Sequence, residues 1–140
     1  MPNVRPLNDK YGLSKHEFHM AYSFCMQYPE WKHTLKLLTS SVKSPTLTGM
    51  PTAHGGSDAT SSLAAKRISL ENKIKIVEET MREVTAPDPI LYPYLLEYVT
   101  TEGCTYQMMS QKKIPCGRTY FYQLRRKFYC KISEQINKKI

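Results

Sequence analysis

Residues 105–128 read TYQMMSQKKIPCGRTYFYQLRRKF. Thr105 is placed to cap a short helix from Tyr106 to about Lys112. Ile114-Pro115-Cys116-Gly117 supplies a tight connection, because proline and glycine punctuate regular structure. A longer helix then runs from about Arg118 to Gln135, with Phe121, Leu124, Phe128 and Ile132 falling on one stripe. A short helix, a turn of three to four residues holding a glycine and a basic helix together make the helix-turn-helix plan.

The charge supports that plan. The first 110 residues carry 11 Lys and Arg against 11 Asp and Glu, whereas the last 30 carry nine basic residues against only Glu134. The formal charge of +8 is therefore carried by the C-terminal segment, where neutralising phosphates is the commonest use of such a cluster. In a helix-turn-helix the second helix enters the major groove by its N-terminal turns. Arg118 and Arg126 suit guanine or phosphate there, Gln123 suits adenine, and Thr119 suits a thymine methyl, with Tyr122 beside them. Arg125, Lys127 and Lys131, with Lys112 and Lys113 before the turn, suit phosphate contacts, which position the protein without specifying a sequence. Double-stranded DNA is the expected partner.

Upstream, Asp88 and Pro89 open a helix with apolar Ile90, Leu91, Tyr94, Leu95, Tyr98 and Val99. Pro93 either delays its start or kinks its first turns, and Glu102-Gly103 stops it. Before it lies the most regular stretch of the chain. Leu63, Arg67, Leu70, Ile74, Val77, Met81 and Val84 are spaced alternately four and three apart. Such a seam serves a dimeric coiled coil or a core helix. The dimer reading uses Leu63, Leu70, Ile74, Val77, Met81 and Val84, and would set two reading helices about 34–36 Å apart over an inverted repeat. Ser57 or Asp58 would cap this helix, and Ala86-Pro87-Asp88-Pro89 ends it.

Of the 24 residues from Thr39 to Ser62, 11 are Ser or Thr, three are Gly and two are Pro, so the segment reads as a flexible linker or loop. Before it, Ser14 and Glu17 match a capping box, followed by Phe18, Ala21, Tyr22, Cys25 and Met26 at helical spacing. Pro29 opens a second helix with Trp31, Leu35 and Leu38 on one stripe, and the pair reads as a helical hairpin. The expected architecture is all-α: a hairpin over 1–38, a linker over 39–62, a long coiled-coil-like helix over 63–86 and a basic helix-turn-helix module over 88–140.

The segment from Thr105 to Met109 and Ile114 to Phe128 resembles the C-terminal helix-turn-helix of phage regulators of the ArpU/RinA type, small proteins of Gram-positive phages and prophages related in style to the promoter-reading domain of sigma factors. The likeness covers roughly residues 88 to 136. Pro115 in the turn and Pro93 in the preceding helix depart from the generic plan. The resemblance implies transcription control of phage genes in a bacterial host, with Arg118 to Lys127 as the reading helix. The competing readings are a phage protein that binds host RNA polymerase or blocks a nucleoprotein machine such as a CRISPR effector, and a small terminase-like subunit.

Other chemistry has little to stand on. His16 and His19 are three apart on one helix, but no third metal ligand is placed to join them. His54 to Asp58 resembles an oxyanion loop only faintly and no nucleophile motif follows. Neither a phosphate-cradling glycine loop nor a paired carboxylate motif occurs, so no enzyme and no cofactor are expected. Cys25, Cys104, Cys116 and Cys130 are read as reduced structural thiols. With no apolar run near the ~18 residues of a membrane span and no secretory h-region, a cytoplasmic protein is expected.

Overall fold

The computed structural model describes residues 13–43 and 56–139, and within them all regular structure is helical. The helices are α1 (Lys15–Met26), α2 (Tyr28–Lys43), α3 (Gly56–Val84), a single 3-10 turn (Pro89–Leu91), α4 (Tyr92–Thr100), α5 (Tyr106–Gln111) and α6 (Arg118–Lys139). The all-α architecture expected from the sequence is the one observed. Among the described residues no helix is long and apolar enough to cross a membrane.

The chain divides into two compact units, one of residues 1–27 and 76–140 and the other of Tyr28–Lys75. The division departs from the sequence reading. The expected hairpin is split at the Gln27–Tyr28 bond, so α1 and α2 belong to different units. Much of the expected linker is helical. Residues 39–43 complete α2, and α3 starts at Gly56, so Ser57 and Asp58 lie inside it rather than capping it. Ser and Thr lower helix propensity by only a few tenths of a kcal/mol each, which neighbouring turns override. Residues 44–55 of that linker lie outside the described residues.

In the first unit α1 packs on α6 and on α4, and α4 packs on α5. The expected capping box forms: the Glu17 amide donates to Ser14 Oγ at 3.1 Å and the Ser14 amide donates to Glu17 Oε1 at 3.2 Å. This sets Phe18, Ala21 and Cys25 on the buried face of α1. Pro93 falls in the first turn of α4, where its missing N–H would have had no acceptor, and so it delays the helix without kinking it. Asp88 makes no capping bond, and Pro89 begins a 3-10 turn instead of an α-helix. Gly103 takes φ +76°, the left-handed conformation that stops a helix, after α4 has ended at Thr100.

The seam of α3 is spent on the chain's own interior. Val77 and Met81 are fully buried and Val84, Ile74 and Leu70 nearly so, while only Leu63 stays exposed. Five of the six residues assigned to a dimer are thus unavailable to a second copy. Arg67, the one charged residue of the seam, pairs with Glu71 along the same helix at 3.7 Å.

Met81→Ala should therefore lower unfolding free energy by about 2–5 kcal/mol, read from urea denaturation. The loss should be the same at every protein concentration. A midpoint that shifts with concentration would return the seam to a dimer.

Candidate nucleic-acid interface

The rotational setting of α6 decides which of its side chains face outward. Phe121, Leu124, Phe128, Tyr129, Ile132 and Ile136 are buried. At 100° per residue, Thr119, Gln123, Arg126 and Cys130 fall within about 60° of one another on the opposite side. Arg118, Thr119, Gln123 and Lys127 are exposed, and Tyr122 and Arg126 are half-buried. Arg118 and Arg126 stand about 12 Å apart along the axis. The outward stripe of the N-terminal half thus mixes donors, an amide and a methyl.

The turn before α6 is built differently from the expected one. It spans six residues, Lys112 to Gly117, between α5 and α6. The left-handed residue is Lys113, at φ +64°, and not the glycine. The Lys113 amide donates to the Ser110 carbonyl at 2.9 Å and the Ile114 amide to the Met109 carbonyl at 3.2 Å, which is the Schellman arrangement. Met109 and Ile114, the two residues that such a motif brings together, are both buried. Gly117 instead immediately precedes α6, and its carbonyl accepts from the Phe121 amide at 3.0 Å. At the other end of α5, Thr105 caps as expected, accepting from the Met108 amide at 3.3 Å.

Tyr106 ties this turn to the start of α6. Its hydroxyl donates to the Cys116 carbonyl at 2.9 Å. Its ring lies 5.1 Å from that of Phe121 and 6.4 Å from that of Tyr122, and the Arg118 guanidinium rests 5.4 Å from its centroid. A second tie comes from farther away, where the Tyr120 hydroxyl donates to the Asp88 carboxylate at 2.6 Å. That bond holds the Tyr120 phenol above its ordinary pKa. Sequence reasoning missed both ties. Tyr106 looked like an ordinary first helical residue, and no spacing rule joins positions 32 apart.

The ten basic and polar residues assigned to DNA separate into groups. Arg125 is turned inward, its guanidinium 5.3 Å from the ring centroids of both Phe18 and Tyr129. Its Nε is buried with no hydrogen-bond partner among the described residues. Burial raises the pKa of the neighbouring Tyr98 phenol and Arg125 works against that rise. Arg125 is therefore packed on the side of α6 away from the outward stripe, unlike Arg126. Lys112 is paired with Glu97, and Lys131 Nζ lies 2.8 Å from Glu83 Oε1, and in each case the pairing raises the ammonium pKa. Both pairs are well exposed, so each lysine gives up little on exchanging its carboxylate for another anion. Among the described residues, Lys113, Arg126 and Lys127 have no acidic partner within ion-pair distance.

All four cysteines are free thiols. Burial is the main cause that raises the pKa of each, Cys25 most of all, so they stay protonated at neutral pH and are poor nucleophiles.

Two neighbouring arginines should therefore respond differently. Arg125→Ala should cost about 1–2 kcal/mol of stability, because two aromatic rings lose the guanidinium and stem that cover them. Arg126→Ala should stay within about 0.5 kcal/mol of the parent. Equal losses in thermal unfolding would refute the inward placement of Arg125. Lys113→Gly should stabilise the chain by roughly 0.5–1 kcal/mol, since glycine takes the left-handed region without strain. A loss of stability in the same assay would count against that backbone conformation.

Comparison with family models, with curated proteins and with solved structures finds no match to this chain.

Proposed function

We propose that this chain binds double-stranded DNA sequence-specifically, with the N-terminal half of α6 in the major groove, and regulates transcription of phage or prophage genes in the bacterial cytoplasm. The observation that carries the reading is the outward stripe of Thr119, Gln123 and Arg126, flanked by Arg118, Tyr122 and Lys127, on a helix whose other face is fully committed to the core. Arg118 and Arg126 present guanidinium forks for guanine or phosphate, and Gln123 an amide for adenine. Tyr106 pre-orients Arg118 by holding its guanidinium over a ring, which lowers the entropy lost on binding. Lys113 and Lys127 supply phosphate contacts, joined by Lys112 and Lys131 when those exchange their carboxylates.

Two parts of the sequence reading are revised. Arg125 leaves the interface. With its seam buried, α3 gives no reason for two reading helices on an inverted repeat, and the target is a single asymmetric site.

Selection from a random duplex pool, followed by sequencing of the bound fraction, should return one enriched non-palindromic motif. Arg126→Ala should weaken binding to that motif by about 1–3 kcal/mol and binding to unrelated duplex by much less. Equal loss on all sequences would reduce Arg126 to a phosphate contact. Failure of the parent protein to bind any duplex at low salt would overturn the DNA reading and favour a protein partner.

A further inference from the structure

The C-terminal bias of charge along the sequence does not survive into the two compact units. The second unit, Tyr28–Lys75, holds seven basic residues (Lys32, Lys36, Lys43, Lys66, Arg67, Lys73, Lys75) against three acidic ones (Glu30, Asp58, Glu71), a net +4. The first unit, with 13 basic and nine acidic residues, also comes to +4. In the first unit Lys112 and Lys131 face carboxylates, and Arg82 and Arg125 lie over aromatic rings. In the second, Glu71 is matched by Arg67, and Lys36, Lys66 and Lys73 stand exposed.

We infer that this second unit is a polyanion-contacting element that grips the phosphodiester backbone of double-stranded DNA, without reading its sequence. The inference rests on the DNA reading of α6 and adds a partner surface to it. The lysines are arranged along helix edges. Lys32 and Lys36 are one turn apart on α2, and Lys66 and Lys73 are two turns apart on α3. Two of them are steadied by rings, Lys32 Nζ at 5.7 Å from the Tyr28 centroid and Lys73 Nζ at 5.7 Å from that of Trp31. The Trp31 contact supports the Lys73 stem while Lys73 stays exposed.

An anionic membrane surface fits less well. Interfacial helices place lysines beside a continuous apolar stripe. Here the exposed large apolar residues are few, Leu37 on α2 and Leu63 and Ile68 on α3. One turn away from Leu37 are His33 and Thr34, and one turn away from Ile68 are Ala64, Ala65, Glu71 and Asn72. A few apolar residues among polar neighbours such as Glu71 and Asn72 are ordinary surface. Phosphates spaced along a duplex need only cations at intervals, which is what the edges of α2 and α3 offer.

The test uses the full chain and a Lys36→Gln/Lys66→Gln/Lys73→Gln variant, with a labelled random-sequence duplex followed by fluorescence anisotropy over a salt series. Glutamine keeps the stems, and circular dichroism confirms that the helices remain. The slope of log affinity against log salt should flatten by about 0.9 for each phosphate that is no longer neutralised, or up to about 2.7 for three. Preference for the selected motif over random duplex should be unchanged. An unchanged slope in a variant that still prefers the motif would overturn this inference and leave the reading helix standing. No duplex binding by the parent chain would overturn both. Binding of the parent, but not of the variant, to vesicles rich in phosphatidylserine, with identical duplex binding by the two, would assign the lysines to a membrane and overturn the inference.

Discussion

The structure depends on the packing of α1 against α6. Phe18 meets Tyr129 edge-on, with ring centroids 5.0 Å apart, and Arg125 lies over both. Edge-to-face geometry is directional, so this contact sets the rotation of α6 about its axis as well as its position. A helix turned by one residue would move every side chain by 100° and replace the outward stripe with a different one. Phe121 repeats the constraint nearer the start of α6, meeting Tyr98 edge-on at 4.7 Å and Tyr106 at 5.1 Å. Two aromatic clusters, on opposite sides of Leu124, hold the presented face against both rotation and tilt.

Those clusters explain how the outward face of α6 is held in place without a long turn of ideal geometry. The six residues before α6 are irregular, but the Tyr106 hydroxyl fixes one end of them to the Cys116 carbonyl, and the Schellman bonds fix the other. Tyr120 adds a bond to Asp88, just before the 3-10 turn that leads into α4. The helix start is thus anchored from the turn before it and from the loop between α3 and α4. Positioning is shared among several weak contacts, none of which is on the presented stripe itself.

What the sequence made legible was local or periodic. The capping box at Ser14, the cap at Thr105, the stripe Phe121-Leu124-Phe128-Ile132 and the end of α3 before Pro87 all follow from short-range rules and are all present. The reading faltered where long-range packing decides. Arg125 and Arg126 are indistinguishable by composition, but Arg125 is four residues after Phe121 and three before Phe128, on the apolar side of α6, where its guanidinium covers Phe18 and Tyr129. The seam of α3 carries the same spacing whether a partner helix comes from a second copy or from the chain itself. Lys113 takes the left-handed conformation although a glycine stands four residues away, because the position is set by where α5 must end to bury Met109 and Ile114. The Ser/Thr-rich stretch reads as coil by composition, yet both of its flanks continue helices.

Charge shows the same limit in another form. Along the sequence nearly all the excess positive charge belongs to the last 30 residues. In space that segment shares a unit with the glutamates of the second half of α3 and of α4, and two of its lysines are matched by them. An attractive potential for phosphate depends on the sum over neighbours within roughly a Debye length, about 8–10 Å at physiological salt, and not on sequence position. Matching Lys112 and Lys131 locally therefore concentrates the unmatched charge of α6 near Arg118, Arg126 and Lys127. Cations confined to the presented stripe favour the one orientation in which that stripe meets an anionic partner.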